Sequence, residues 1–254
     1  MYTKKELTEQ IKGLGIKSDD VITIHMSLKS IGEIEKDDKT TAEIFIEAAK
    51  EAVPDGLLVI PSHTYTNIRE VPVFNIRETM PCIGAVPTVA VKMANEAYDK
   101  GDKTCVRSFH VSHSVVAFGE RAYEFTRDDS RAKTPMPSFG SYAKLKKYNA
   151  KILLIGIDFS SNTFIHMIDE YTAPEKLSPE YPITGIDYDG KEYQRYARNC
   201  SERAALYPQY QPFLDKEDAL SYGKIGDANV IVCDAKKMFE IIVKMKKTGF
   251  KLQE

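Results

Sequence analysis

The segment DVITIH at residues 20–25, a β-branched run between polar neighbours, predicts a buried strand and decides the fold. A helical pattern follows at residues 40–53 and ends at Pro54-Asp55-Gly56. Residues 57–60 then predict a second buried strand, which Pro61 stops. This strand–helix–strand order predicts a parallel pair of strands joined by a right-handed crossover.

The same alternation continues along the chain. Strand patterns occur at residues 111–118, 151–157 and 223–233, and helical patterns at residues 3–14, 88–100, 141–148, 162–172 and 235–247. Three prolines indicate loop for most of residues 69–88, and residues 184–196 alternate around a Tyr-Asp-Gly-Lys turn, which indicates a hairpin. We therefore expect one α/β domain over residues 1–254. Its mixed, mostly parallel central sheet is flanked by helices, and an antiparallel β insertion occupies about residues 180–215.

Composition excludes several classes of protein. The 35 basic and 37 acidic residues give a formal net charge of −2, which does not indicate nucleic acid or a membrane surface as the main partner. The four cysteines have no metal-site spacing, and no apolar run is long enough to cross a bilayer. With no signal-peptide pattern at the N-terminus, we expect a cytoplasmic protein that binds small molecules. The oligomeric state stays open, with a homodimer among the alternatives.

Two segments rich in polar side chains that could bind ligands or take part in catalysis lie next to predicted strands. Residues 24–32 (IHMSLKSIG) end the first strand and could offer hydroxyls and backbone N–H groups to a phosphate, or could simply form a turn. Residues 107–119 hold one arginine, two histidines and several serines. His110 and His113 lack a carboxylate or cysteine at ligand spacing, so we expect no metal site there.

A third segment runs from a buried strand through a polar loop into a helix at residues 153–170. Thr163 and His166 lie one turn apart on this helix, and Asp169 and Glu170 follow a turn later. A histidine near a helix N-terminus can stay neutral and act as a base. The alternative is a half-buried histidine that Asp169 satisfies, and the segment alone does not decide between them.

These segments together resemble the aminoglycoside 3-N-acetyltransferase family. The resemblance rests on six motifs in the family's order along the chain, at residues 24–32, 56–61, 107–119, 140–145, 154–169 and 223–228. The chain departs from the family pattern at Val111, where the family has proline, and at residues 33–40, which replace a glycine-rich stretch. It also differs at residues 80–87. The natural acceptor is therefore open.

The resemblance implies acetyl-CoA as the donor, an amine of an aminoglycoside or related compound as the acceptor, a role in antibiotic resistance, and no metal. It implies His166 as the general base, Asp169 or Glu170 as the carboxylate beside it, and Thr163 as a donor near the thioester. CoA would be held by residues of the motifs at 24–32 and 107–119 that offer hydroxyl, cationic or backbone groups: Ser27, Leu28, Lys29, Ser30, Arg107 and Ser108. We assign five further polar residues to the acceptor: His63, Tyr65, His110, His113 and Asp158.

Two other functions remain as alternatives. A hydrolase could pair a serine or cysteine with His110 or His113, although the chain contains no G-x-S-x-G motif. A non-catalytic relative could keep the fold and bind CoA or another small molecule. A tyrosine cluster in the C-terminal third could line a cleft or pack the insertion, and we favour packing: Tyr188, Tyr193, Tyr196, Tyr207 and Tyr210.

Overall fold

The computed structural model describes residues 1–36, 38–200 and 203–253. The strands in these ranges are β1 Val21–Met26, β2 Leu57–Pro61, β3 Val73–Asn75, β4 Cys105–Arg107, β5 Val115–Phe118, β6 Lys151–Ile155, β7 Tyr181–Ile186, β8 Glu192–Ala197, β9 Leu220–Ile225 and β10 Ala228–Asp234. The α-helices are α1 Lys4–Gly13, α2 Thr41–Ala52, α3 Tyr65–Glu70, α4 Ala85–Asp99, α5 Ala122–Thr126, α6 Ser141–Lys147, α7 Phe164–Thr172, α8 Gln211–Lys216 and α9 Ala235–Lys247.

The main sheet has seven strands in the order β4-β5-β2-β1-β6-β10-β9. β1 pairs in parallel with β2 and with β6, as the strand–helix–strand pattern predicts. The remaining four pairs of this sheet are antiparallel. The expected α/β class with a mixed sheet is confirmed. Parallel pairing is confined to the three central strands, so the sheet is less parallel than the sequence pattern suggests.

Two helical layers cover this sheet because its central strands are apolar on both faces. In β1, Ile22 and Ile24 pack with the side chains of α1, α2 and α4. Val21, on the opposite face, packs with α5, α6, α7 and α9. α1 and α2 begin with capping boxes, in which the hydroxyls of Thr3 and Thr40 accept from the backbone N–H groups of Glu6 and Glu43.

Two predicted strands differ from the observed ones by more than two residues, and each difference has a local cause. Only Val115–Phe118 of residues 111–118 is extended, because the N–H groups of Ser112 and His113 turn back to donate to Nδ1 of His110. The pattern at residues 223–233 is two strands, β9 and β10, which join at Gly226 with φ of 56°. A glycine adopts this left-handed conformation without strain.

The predicted hairpin is β7–β8, with Tyr181 opposite Ala197 and Ile186 opposite Glu192. β3 adds a third strand in parallel to β7. β3 lies within residues 69–88, where the prolines indicate loop, and a strand of only three residues has too short a pattern to be recognised there. Residues 201 and 202 of the predicted insertion lie outside the described residues. None of the helices in the described ranges has the length and apolar character needed to span a bilayer.

Candidate active site

A cavity of about 560 Å³ lies at the carboxyl ends of β1 and β2, the edge where ligands bind in open α/β sheets. Its volume falls in the range of small-molecule sites. Four of the five histidines of the chain line it: His25, His63, His113 and His166. The wall also includes residues of α3, the start of α4, the loop after β6 and the segment that follows β8. This clustering makes the cavity the candidate active site.

His166 lies in the first turn of α7 with its imidazole in the cavity wall. Burial lowers its pKa, and the charge of Asp169 only partly opposes that effect. The imidazole is therefore neutral at pH 7, which is the state that accepts a proton.

Tyr207 determines which nitrogen of His166 is free. Its hydroxyl donates to Oδ2 of Asp169 at 2.6 Å and lies 2.7 Å from Nδ1 of His166. A phenol has one proton, so the phenol oxygen must accept a hydrogen bond from Nδ1–H of His166. Nε2 then carries the lone pair and makes no hydrogen bond within the described ranges. Burial raises the pKa of Tyr207 far above its usual range, which keeps the phenol protonated.

The two acidic residues after His166 have different surroundings. Asp169 reaches the imidazole through Tyr207, and its other oxygen lies 2.5 Å from Nζ of Lys246 on α9. Glu170 accepts from the hydroxyl of Thr134 and from the backbone N–H of Met136, so both of its oxygens hold the loop before α6. Of the two predicted carboxylates, the structure links Asp169 to His166 through Tyr207 and places Glu170 outside the cavity wall.

Thr163 borders the cavity at the N-terminal end of α7, as the sequence suggests. Close to its hydroxyl is the phenol of Tyr142, which lies 2.5 Å from Nε2 of His63. Tyr142 is buried, and its burial raises its pKa well above the usual value. The hydrogen bond to this phenol holds the imidazole of His63 in place.

Three residues assigned to the acceptor meet in one wall of the cavity. The rings of Tyr65 and His113 stack with centroids 5.5 Å apart, and the ring of His63 lies 4.9 Å from that of His113. His110 is adjacent but serves the loop: Nδ1 accepts from two backbone N–H groups, so Nε2 donates to the carbonyl of Thr134 at 3.1 Å. His110 therefore has no free nitrogen for a ligand.

The segment Ser27–Ser30 lies next to the cavity rather than in its wall. Met26, at the end of β1, lines the cavity, and the chain then turns away through a 3-10 helix. The hydroxyl of Ser30 donates to the carbonyl of Ser27. Gly156 permits this turn to pack on β6, because a Cβ there would lie 1.8 Å from Oγ of Ser30. Leu28 packs on the core, and Lys29 is exposed.

The structure does not bring Arg107 and Ser108 to this cavity. The guanidinium of Arg107 is buried and donates to the carbonyls of Ile76 and Thr79 at 2.6 and 2.8 Å. The hydroxyl of Ser108 accepts from the N–H of Val115. Both side chains are 1% exposed, so they join β4 and β5 to the residues that precede α4. Arginine beside serine suggested a phosphate site, yet here these groups bind backbone.

Asp158 is exposed and accepts from the N–H of Ser160, which caps a short 3-10 helix at residues 159–161. Ser160 and Ser161 line the cavity, whereas Asp158 does not.

On another wall of the cavity, α4 begins after Gly84, and no side chain caps its N-terminus. An uncapped helix N-terminus favours negative charge.

Sequence reasoning missed several residues of the site. Those in the wall are His25, Arg69, Asn199 and Cys200, and those behind it are Tyr142 and Tyr207. The tyrosine cluster contained the signal for Tyr207, but spacing could not distinguish packing from a hydrogen bond to His166. Nε2 of His25 is buried and has no hydrogen-bond partner among the described residues, and burial lowers the pKa of His25 to about 4.

The groups that the hydrolase alternative needs are also close together. Oγ of Ser112 lies 2.9 Å from Nδ1 of His113, and Sγ of Cys200 lies 3.9 Å from its Nε2. Ser112 is 1% exposed and does not line the cavity. Burial raises the pKa of the Cys200 thiol far above its usual range, which suppresses the nucleophilic thiolate. Neither pair is poised as a nucleophile.

The fold and the site are those of an α/β enzyme that acts on a small molecule. The model of the aminoglycoside 3-N-acetyltransferase family matches residues 23–247, and the chain belongs to this family of acyltransferases. A Bacillus subtilis (strain 168) protein described as the SPbeta prophage-derived aminoglycoside N(3')-acetyltransferase-like protein YokD is 25% identical over 241 residues, which cover 89% of this chain and 86% of that protein. Aminoglycoside N(3)-acetyltransferase IV of Salmonella is 23% identical over 236 residues, or 89% and 80% of the two chains.

Solved structures resemble the fold over almost its whole length. The crystal structure of YokD from Bacillus subtilis has a TM-score of 0.80 at 21% identity and covers 98% of this chain and 96% of its own. A binary structure of AAC-IIIb with CoASH has a TM-score of 0.80 at 18% identity and covers 99% and 98%. At these identities the likeness concerns the fold.

Proposed function

We propose that the protein is an acetyl-CoA-dependent N-acetyltransferase that acetylates an amine of an aminoglycoside or a related amino compound. The hydrogen bonds of Tyr207 to His166 and Asp169 are the observation that carries the proposal. They leave Nε2 of a neutral imidazole as a base at the cavity. An amine must lose a proton to attack a thioester, and a base with a lowered pKa is available for that step at neutral pH.

The cavity suits the thioester end of acetyl-CoA. The family relationship and the CoASH complex of AAC-IIIb support this donor. The first turn of α4 provides a helix N-terminus for negative charge. Nε2 of His25, in the cavity wall, is a buried polar atom with no partner in the part of the chain that the structure describes. Acetyl-CoA would supply the acetyl group and leave as CoA thiol.

The residues of this chain have separate roles in the transfer. Nε2 of His166 accepts a proton from the amine while the amine nitrogen bonds to the thioester carbonyl carbon. The C–S bond then breaks, and the imidazolium returns this proton to the departing thiolate, which leaves as CoA thiol. The positive charge that forms on the imidazole is stabilised through Tyr207 by Asp169. Lys246 holds that carboxylate in place. The hydroxyl of Thr163 is a candidate donor to the carbonyl oxygen as it gains charge.

Release of CoA thiol, followed with a chromogenic disulfide across a panel of amines, tests the proposal. We expect His166→Gln to lower kcat by about 10²- to 10⁴-fold, the usual contribution of a general base. The rise in melting temperature caused by acetyl-CoA should be the same in both proteins, because the donor binds the native state of each. A variant that keeps the wild-type kcat would contradict the role of His166. Absence of both thiol release and a thermal shift would contradict the function.

The four cysteines are free thiols. A reducing compartment such as the cytoplasm is the location we propose for this reaction.

A further inference from the structure

The ionisable side chains of the cavity wall carry an unbalanced charge. Burial lowers the pKa of His25, His63, His113 and His166, so these four imidazoles are neutral at pH 7. Arg69 is the remaining basic side chain of the wall. Within residues 1–36, 38–200 and 203–253, no aspartate or glutamate lines the cavity. The described wall is therefore positive.

Arg69 is held in position by two other residues of the same wall. It lies in the last turn of α3, and its Nε donates to Oδ1 of Asn199 at 3.1 Å. Its guanidinium carbon lies 5.9 Å from the centre of the Tyr65 ring. No carboxylate in the described part of the chain forms an ion pair with Arg69. A guanidinium that its neighbours orient and that no described carboxylate neutralises is suited to bind an anionic ligand.

The charge of Arg69 reaches the groups around the base. Burial raises the pKa of Tyr65 and of Cys200, and the field of Arg69 acts against that effect at both residues. At His113, burial, the neighbouring imidazoles and Arg69 all lower the pKa. A ligand in this half of the cavity therefore meets the positive field of Arg69 whichever of these side chains it contacts.

We propose that the acceptor amine belongs to a small molecule that also carries a carboxylate or phosphate, and that Arg69 binds this anionic group. The inference rests on the proposed acetyl transfer and specifies its acceptor. Aminoglycosides carry several positive charges, which Arg69 repels and which no carboxylate of the described wall attracts. An amino acid or an amino sugar phosphate offers an amine for His166 and an anion for Arg69. Arg69 is then a specificity-determining residue.

Matched acceptors that differ in one charged group test this inference. Thiol release from acetyl-CoA would be measured with glucosamine 6-phosphate against glucosamine, with an amino acid against its amide, and with gentamicin as the polycation. We expect the anionic member of at least one pair to have a kcat/KM at least tenfold above its partner and above gentamicin. Equal or higher kcat/KM for gentamicin would overturn the inference while leaving acetyl transfer intact.

The variant Arg69→Gln identifies the group that the arginine binds. We expect KM for the anionic acceptor to rise about 10- to 100-fold, with kcat and the KM for acetyl-CoA within twofold of wild type. Arg121→Gln, which removes an exposed arginine outside the cavity, is the matched control and should leave kcat and both KM values unchanged. An increase confined to the KM for acetyl-CoA would assign Arg69 to the donor phosphates and overturn the inference. Unchanged constants would also overturn it. Loss of thiol release with every amine, together with no thermal shift by acetyl-CoA, would overturn the proposed function as well.

Discussion

Replacing Tyr207 by phenylalanine removes one oxygen that contacts both His166 and Asp169. The ring remains, so the packing of this buried side chain is preserved. Nδ1 of His166 loses its acceptor, and the imidazolium that forms during transfer loses its connection to the carboxylate. A hydrogen bond to a charged group contributes about 1.5–3 kcal/mol, and 1.4 kcal/mol corresponds to a factor of ten in rate. We therefore expect kcat to fall about 10- to 100-fold.

The assay is the release of CoA thiol at saturating acetyl-CoA, with KM measured for each substrate. Because Tyr207 lies behind the wall, both KM values should stay within about threefold of wild type. Tyr210→Phe is the control, because Tyr210 is three residues away, is equally buried and makes no hydrogen bond to His166. A Tyr207→Phe enzyme with wild-type kcat would refute the tautomer argument. An equal loss in Tyr210→Phe would attribute the effect to packing.

Three other predictions concern stability and the division of roles. The pKa of His25 is lowered from 6.5 to about 4 by burial, so the stability that its neutral form provides is complete above pH 6.5. This stabilisation falls by about 3 kcal/mol as the pH drops to 4. Melting curves measured across this pH range should therefore show a smaller loss of stability toward acid pH in His25→Gln than in the wild type. Arg107→Met leaves two carbonyls without a donor and should lower the free energy of unfolding in urea by about 3 kcal/mol, while the thermal shift by acetyl-CoA persists. Lost acetyl-CoA binding at full stability would instead support the CoA role that the sequence suggested. Glu170→Gln should keep kcat within about threefold of wild type, whereas Asp169→Asn should lower kcat at least tenfold. A larger loss in Glu170→Gln in the thiol assay would make Glu170, and not Asp169, the carboxylate that supports His166.

The central strands were predictable because they have the simplest pattern in the chain. β1, β2 and β6 are short apolar runs between turn residues, and their burial on both faces requires helices on either side. The antiparallel direction of the outer strands was not predictable, because strand direction depends on connections that periodicity does not record. β3 is only three residues long and pairs with β7 more than a hundred residues later.

The site was predictable where the chemistry lies on one helix. Thr163, His166 and Asp169 follow α7 spacing, so the sequence indicated their proximity. Tyr207 reaches Asp169 across 38 residues, and no local spacing reports such a contact. Arg107 is the opposite case: its place in a sequence motif suggests a ligand, whereas its guanidinium donates to a backbone carbonyl.

Tyr207 belongs to the 3-10 helix Ala204–Tyr210, whose first two residues are part of the cavity wall. This part of the cavity wall and the phenol that contacts His166 thus belong to one continuous piece of chain. An acceptor too bulky for the cavity would press on residues 204 and 205 and shift the phenol away from His166. Discrimination between acceptors would then be expressed in turnover as well as in affinity. An unsuitable molecule could occupy the cavity and still be released unmodified.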